Sequence, residues 1–372
     1  MDLSILGLYN MYYRDCYLSI NMDNIAQNIV SLSKNSDIIA IVKANAYGMG
    51  AIEIAKLAIE NKAIYLAVSS LDEAIQLRKA NITHPIMILG YVSKDQYDII
   101  RNYDLTLITT SLEWLEKTYP FLYDIKIHIK VNTGLNRLGL KSLQEVRQAL
   151  DLLKKAKVEG IFSHYACSDE RNHQLNIEQV NRFNYILRNI KHDFKYIHMS
   201  NTDASYKLDN NNCSRIGIGL YGYSNTRNDL IPSISLYSTI IKSTIVNKKE
   251  SISYGAKYTC EKDEHINVVC IGYADGIARR HSGFNVYIEG EYAPIVGNVC
   301  MDLLMVKTKK AYPLGTKVEF FGPHIKLEDF AARIGEIPYT ILLAINDRVT
   351  RKYYKNNRIV KEINNRFGDN YE

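Results

Sequence analysis

The chain has 372 residues, 47% of them hydrophobic and 23% charged, and a formal net charge of +6. That length can bury a large core and supports two domains, while the mild, scattered positive charge excludes a dedicated nucleic-acid surface. The six cysteines (Cys16, Cys167, Cys213, Cys260, Cys270 and Cys300) form no CxxC pair and no metal-ligand spacing, and read as small hydrophobes of a reducing compartment.

The N-terminus, Met1 to Tyr9, has neither a basic region nor a long apolar run, which argues against a signal peptide. No stretch is long and apolar enough to cross a membrane, so a cytoplasmic location is expected. Short apolar strands are expected near 38–44, 64–69, 85–90, 105–110, 126–131, 158–164, 195–199 and 215–221, with amphipathic helices filling most of the gaps. Ser70 with Glu73, and Ser142 with Glu145, are capping-box signatures that open two of those helices. About eight β–α repeats predict a closed parallel (β/α)8 TIM-type barrel, whose chemistry sits at the carboxyl ends of its strands. Lys43, Lys130, His164, Asn201 and Arg215 all fall at or near such ends.

Lys43 follows the apolar run Ile38–Val42 and precedes Ala-Asn-Ala-Tyr-Gly48. An ammonium at the end of a buried strand is costly and needs a reason. One reason is a structural salt bridge. The other is covalent capture of an aldehyde as a Schiff base, for which desolvation frees the amine lone pair.

After Gly222 the pattern changes. A polar stretch, Tyr223 to Asp229, leads past Pro232 into period-two segments at 239–246, 265–272, 284–289 and 316–321, with helix returning at 327–345. The chain is therefore read as a barrel domain, 13–230, followed by a mainly β C-terminal domain, 231–372.

These residues together resemble the alanine racemases. Val42-Lys-Ala-Asn-Ala-Tyr-Gly48 is similar to that family's cofactor-lysine motif. Val131 to Gly139, Gly160 to His164, His198 to Thr202, Arg215 to Gly222, Ser253-Tyr-Gly255, Gly272 to Gly276, Gly297 to Asp302 and Pro338-Tyr339 follow in the family's order. The resemblance implies pyridoxal 5'-phosphate as cofactor and racemisation of L- to D-alanine, supplying peptidoglycan. It implies a homodimer with shared active sites, and no membrane or nucleic-acid partner. Lys43 would hold the cofactor and act as base on one face of the α-carbon, with Tyr254 of a second subunit as base on the other. Tyr254 is one of 28 tyrosines, and the Ser-Tyr-Gly context alone selects it.

Arg215 would face the cofactor's ring nitrogen, and a guanidinium does not give up its proton, so the ring stays a weak electron sink. That favours return of the proton to the α-carbon over transamination. The resemblance further places Tyr47, Thr202, Tyr339, Gly217 and Ile218 around the phosphate, with His164 and Asn201 also at the cofactor. Arg137 and the backbone of Met301 would hold the substrate carboxylate, and Tyr273 and Asp302 would line the entry channel. Lys130 matches a position that many members carbamylate, with pairing to an acid as the alternative.

Some positions depart from the family pattern. Met49 replaces a histidine, Asn132 an aspartate, Thr202 a serine, Asn298 an arginine and Thr340 a glutamate. The hydroxyl of Thr202 is kept, whereas Asn132 and Asn298 remove charges and bear on substrate range and rate. Serine racemases of vancomycin resistance resemble the chain in places, but carry a membrane domain and tend to lose Tyr339, so alanine is the expected substrate, with serine as a side substrate and a serine or broader amino-acid racemase as the alternative. An amino-acid decarboxylase of the same plan would carry Gly-Pro-x-Cys-Asp, and Gly322-Pro323 is followed by His324. A non-catalytic cofactor carrier would lack the second domain. A metalloenzyme would need a third ligand beside His164 and His198.

Overall fold

The structure, a computed structural model, describes residues 14–206 and 211–364. The N-terminal residues that argue against a signal peptide, and the expected domain ends at 13 and 372, lie outside these. The chain forms two units, Asn24–Ile231 and a unit that joins the residues up to Asp23 to those from Pro232 onward. The strand β1 (Cys16–Asn21) alternates buried and half-buried residues, as a strand with one solvated face does. It belongs to the second unit and not to the barrel, which differs from the expected boundary at 13.

The first unit is a closed parallel barrel of β2 (Asp37–Ile41), β3 (Tyr65–Val68), β4 (Ile86–Ile88), β5 (Leu105–Ile108), β6 (Lys126–Lys130), β7 (Lys157–Phe162), β8 (Tyr196–His198) and β9 (Cys213–Ile216). β9 closes the ring on β2, with Arg215 opposite Ile39. The expected last strand, 215–221, is shorter and earlier. Gly217 (φ −117°, ψ −90°) leaves strand geometry, and Ile218–Tyr221 winds into a 3-10 turn ended by left-handed Gly222. The expected helix caps are present, since Ser70 Oγ and Ser142 Oγ accept from the amides of Glu73 and Glu145. Both glutamates reach one residue past the cap, to the amides of Ser69 and Lys141, each at 2.7 Å.

The barrel interior is more polar than a purely aliphatic core. Tyr65, His128 and Tyr196 pack ring against ring with centroids 5.4–5.6 Å apart, and Phe162 stacks on His198 at 4.7 Å. Gly160 on β7 makes room for His128, because a Cβ there would lie 2.6 Å from the imidazole Nδ1.

The second unit is a mainly antiparallel β structure. β10 (Ile234–Val246) is long enough to pair with β17 (Lys317–Phe321) and β1 along its first half and with β13 (Glu264–Val269) along its second. From β13 the sheet continues through β16 (Leu304–Thr308), β15 (Glu291–Val296) and β14 (Asn285–Ile288) back to β17, closing a ring of strands. β18 (Thr350–Lys355) adds parallel to β1, and β19 (Arg358–Ile363) pairs with β18. A short hairpin, β11 (Ser251–Ile252) with β12 (Tyr258–Thr259), stands apart. The helix expected over 327–345 is two short ones, Leu327–Ala332 and Pro338–Ala344. Gly335 takes a positive φ of 76° and Pro338 opens the second helix at its first turn.

Asp275 organises this unit. Its carboxylate is fully buried and accepts from the Arg14 guanidinium, Arg348 Nε and the Gly272 amide, each at 2.7 Å. Arg348 also reaches Asp302 Oδ1 at 2.5 Å, and Arg14 donates to the Asp302 carbonyl at 2.7 Å. Removing the shared carboxylate would leave the partly buried Arg14 guanidinium without its anion and Arg348 with Asp302 alone. Asp275→Ala is therefore expected to destabilise the fold by about 3 kcal/mol, read as a lower urea midpoint.

Candidate functional site

Lys43 stands two residues beyond β2, at the start of an unusual turn. Ala44, Asn45, Ala46 and Tyr47 all have positive φ, between 51° and 60°. Four consecutive non-glycine residues in left-handed geometry cost roughly 1–2 kcal/mol each, so something must hold them. Glu73 Oε1 accepts from the Ala44 amide at 2.7 Å, and the Tyr221 hydroxyl donates to the Ala46 carbonyl at 2.6 Å. Asn45 Oδ1 accepts from the Ala51 amide, and Gly48 (φ 84°) ends the turn. Short apolar Ala44 and Ala46 fit the tight winding. The lysine is thus delivered from a rigid element.

Burial lowers the Lys43 pKa, and the guanidinium of Arg137 lowers it further, with Glu73 opposing. Lys130, the last residue of β6, is 6% exposed. Its amide donates to Thr109 Oγ1, and its ammonium lies 5.6 Å from the centroid of the Phe162 ring. Burial and then the positive charges of Arg137, Arg215 and Lys43 bring its pKa down to about 7. Pairing to an acid, the alternative weighed for Lys130, is not observed among the described residues. The guanidinium of Arg137 is exposed and makes no hydrogen bond or ion pair with protein groups among the described residues.

Arg215, on β9, is 4% exposed and spends its donors on the ends of β7 and β8. It donates to the carbonyls of Ser163 (2.7 Å), Met199 (3.1 Å) and His198 (3.1 Å). It also bonds His198 Nδ1 at 2.6 Å and His164 Nδ1 at 2.8 Å. Because guanidinium can only donate, both Nδ1 atoms must be unprotonated. Burial first, and Arg215 second, hold both imidazoles well below their ordinary pKa. His198 Nε2 then carries a proton toward His128 Nδ1, 2.9 Å away. His128, fully buried, is likewise kept neutral, with a pKa of about 3. His128 and the Nδ1 role of His198 are residues that sequence reasoning missed, as is Glu73 beyond its cap. A single histidine on an apolar strand gives no sign of which neighbour it will meet.

The loops after β8 and β9 form a close-packed cradle. Asn201 Nδ2 donates to Ser168 Oγ and its Oδ1 accepts from the Ala204 amide. Thr202 Oγ1 accepts from the Gly219 amide at 3.2 Å, and its methyl fills the space above Gly219, where a Cβ would lie 2.5 Å away. The Tyr47 hydroxyl lies against Gly217, where a Cβ would lie 2.1 Å from the oxygen. Glycine at 217 therefore lets backbone and phenol approach, and Ile218 beside it is buried. Lys43, Tyr47, Lys130, Arg137, His164, Asn201, Thr202, Arg215, Gly217 and Ile218 all belong to the barrel unit, at the carboxyl ends of its strands or on the loops that follow them.

Tyr254, Tyr273, Met301, Asp302 and Tyr339 belong to the β unit. Tyr254 is 75% exposed, and Met301, Tyr273 and Tyr339 also expose much of their surface. Ser253 precedes Tyr254 at φ 68°, ψ 177°, a region that is essentially glycine's own and costs about 1–3 kcal/mol elsewhere. Gly255 and Ala256 follow with positive φ. Backbone bonds tie the Tyr273 and Met301 loops together, since the amides of Tyr273 and Ala274 donate to the carbonyls of Cys300 and Met301 at 3.0 Å. Asp302, expected at a channel, is ion-paired to Arg348.

Residues 20–225 match the alanine racemase N-terminal domain and residues 233–353 the C-terminal domain. Alanine racemase 1 of Bacillus subtilis is 36% identical over 95% of this chain and 96% of its own length. The crystal structure of alanine racemase from Bacillus anthracis with bound L-Ala-P superposes with a TM-score of 0.89 at 32% identity, covering 95% of this chain and 99% of that one. A histidine racemase from Leuconostoc mesenteroides gives 0.85 at 25% identity, over 94% of this chain and all of that one. The chain belongs to the alanine racemase family, which comprises pyridoxal-phosphate-dependent amino-acid racemases.

Proposed function

We propose that this chain racemises alanine with pyridoxal 5'-phosphate held at Lys43, using Lys43 and a second subunit's Tyr254 as the two bases. The observation that carries the reading is the buried Arg215, bonded to two imidazoles that burial and its own charge keep neutral. The cradle suits the cofactor: Gly217 and Gly219 allow backbone approach that a Cβ would block, and the hydroxyls of Tyr47 and Thr202 stand beside them. Tyr339 would add a third hydroxyl to the phosphate, and Asn201 and His164 would line the ring. When bound, the cofactor supplies an aldehyde for amine capture and an electron-withdrawing ring that acidifies the α-C–H of an attached amino acid.

This chain's residues do the rest. Lys43 offers an amine with a lowered pKa, suited both to covalent capture and to moving a proton on one face. Tyr254 holds the proton on the opposite face. Its exposure on the β unit suits a side chain that completes its site on another copy, as do the exposed Met301 and Tyr273 nearby. Arg215 keeps its own proton, which limits how far the ring is activated and favours reprotonation of the α-carbon. Arg137 pairs with the substrate carboxylate, helped by the partner subunit's Met301 backbone, and Tyr273 and Asp302 border the approach. The product would supply D-alanine to peptidoglycan from the cytoplasm.

Lys130 is suited to carbamylation. A neutral amine attacks CO2, forming an N–C bond and releasing a proton. The anion formed would face Arg137, Arg215 and Lys43, the same charges that depress the ammonium. It would steady Arg137 in place.

The first test is racemisation of L-alanine in deuterated water by the cofactor-loaded protein, with L-serine and L-histidine run beside it. α-Deuterated D-alanine as the main product supports the proposal, whereas faster turnover of serine or histidine would reassign the substrate. Retention of the α-proton in every amino acid would leave only a carrier. Borohydride reduction should fix the cofactor on the Lys43 peptide, and Lys43→Ala should lose at least about a thousandfold in rate. Fixation on another lysine would overturn the assignment.

Tyr254→Phe should slow α-proton removal from L-alanine by about 10²–10⁴-fold and much less from D-alanine, by isotope exchange in single turnovers. Sedimentation should show a dimer, and a fully active monomer would refute the shared site.

A pH dependence also follows for Lys130. Its folded pKa is depressed, so between about 7 and the ordinary lysine value the unfolded chain holds a proton that the folded chain does not. Urea stability of the cofactor-free, CO2-free protein should therefore rise with pH across that window. Lys130→Met should flatten the rise, and an unchanged slope would show that Lys130 is not the group responsible.

A further inference from the structure

The turn that carries Tyr254 is held by Asn298, which stands where the family pattern has an arginine. The phenol itself is largely exposed, so its position depends on its backbone. That backbone is bracketed by left-handed or glycine-like conformations at Ser253, Gly255 and Ala256. The flanking hairpin contributes two residues per strand, Ser251–Ile252 and Tyr258–Thr259, a slender frame for such a turn.

A second turn, 297–300, supplies what the hairpin lacks. Ser253 Oγ donates to the Asn298 carbonyl at 2.6 Å, and Asn298 Nδ2 donates to the Tyr254 carbonyl at 2.7 Å. The two bonds run in opposite directions between the same two turns, so each fixes the register of the other. Close approach is built in, because Gly297 has φ 69° and a Cβ there would lie 2.7 Å from both the Ile252 carbonyl oxygen and Ser253 Cβ. The sense of the Asn298 bond is fixed by chemistry, since a carbonyl can only accept and the amide nitrogen must face it. Nothing in this contact requires a charge.

We infer that Asn298 is a positioning residue for Tyr254, acting through the tyrosine's backbone carbonyl and not on the substrate. The inference rests on Tyr254 being the second base, as proposed above. It gives this chain's asparagine a function beyond the removal of a charge.

The decisive variants are Asn298→Asp, which keeps the shape but sets an acceptor against the Tyr254 carbonyl, and Asn298→Ala, which removes the donor. In each, kcat should fall about five- to tenfold, with KM for alanine within about twofold, the loss of one hydrogen bond's worth of alignment. The α-deuterium isotope effect should rise for L-alanine and fall for D-alanine, because only the Tyr254 step is slowed. Hydrogen–deuterium exchange of amides 253–257 in the cofactor-free dimer should accelerate about tenfold, with other segments unchanged. Equal isotope effects in both directions, with Tyr254→Phe shifting them apart, would overturn the positioning role while leaving the two-base reading intact. If Tyr254→Phe itself shows no asymmetry, the two-base reading fails. The exchange measurement then decides Asn298 separately, and unaltered exchange in both variants would overturn its hold on the turn. Asn298→Asp behaving like wild type in every measurement would likewise reduce Asn298 to a space-filling residue.

Discussion

The barrel unit is organised around one buried cation. Arg215 cannot shed its proton, and burial without partners would be prohibitive, so the strand ends around it must offer acceptors. They do so with three main-chain carbonyls and two imidazole nitrogens. The consequence travels outward. An imidazole that accepts from Arg215 on Nδ1 must carry its proton on Nε2, which fixes the tautomer of His198, then its bond to His128, and independently that of His164. Protonating any of these rings would set cation against cation. Burial, with this one constitutive charge, thereby sets the protonation of three titratable groups.

The same concentration of positive charge explains why the two lysines are unlike ordinary surface lysines. Lys43 and Lys130 are each desolvated and each face Arg137, and their ammonium forms are disfavoured for both reasons. A lowered pKa raises the share of neutral amine, the form reactive toward aldehydes and CO2. A site assembled from arginines and lysines is also a site for anions. A phosphate, a substrate carboxylate and a carbamate would each relieve the repulsion that the bare protein carries.

Backbone strain marks both the left-handed turn after Lys43 and the turn around Tyr254. In both, side-chain hydrogen bonds to a neighbouring element hold the unfavourable geometry: those of Glu73 and Tyr221 in the first, and those of Ser253 and Asn298, exchanged across two turns, in the second. Strain persists in native proteins where the surroundings over-determine it, and such places tend to be functional. The two residues proposed as bases are thus both delivered on strained turns held by side-chain hydrogen bonds.

Much of this was legible in the amino-acid order. Apolar runs at regular spacing dictated eight parallel strands, because a strand buried on both faces must be continuously hydrophobic. The serine–glutamate spacings dictated two helix starts, and the motifs around Lys43, Arg137, Arg215 and Tyr254 dictated the family. Other features depended on partners distant in the chain. Strand β1 reads as a generic amphipathic strand, and only its pairing with Ser238 and Arg351 assigns it to the β unit. The roles of His128, Glu73, Asp275 and Asn298 are hydrogen bonds to residues 70, 29, 261 and 44 positions away. Local sequence fixes backbone preference and burial pattern, which are short-range properties. The identity of a hydrogen-bond partner, and with it the protonation state of a buried group, is set by which strand ends and turns the folded chain brings together.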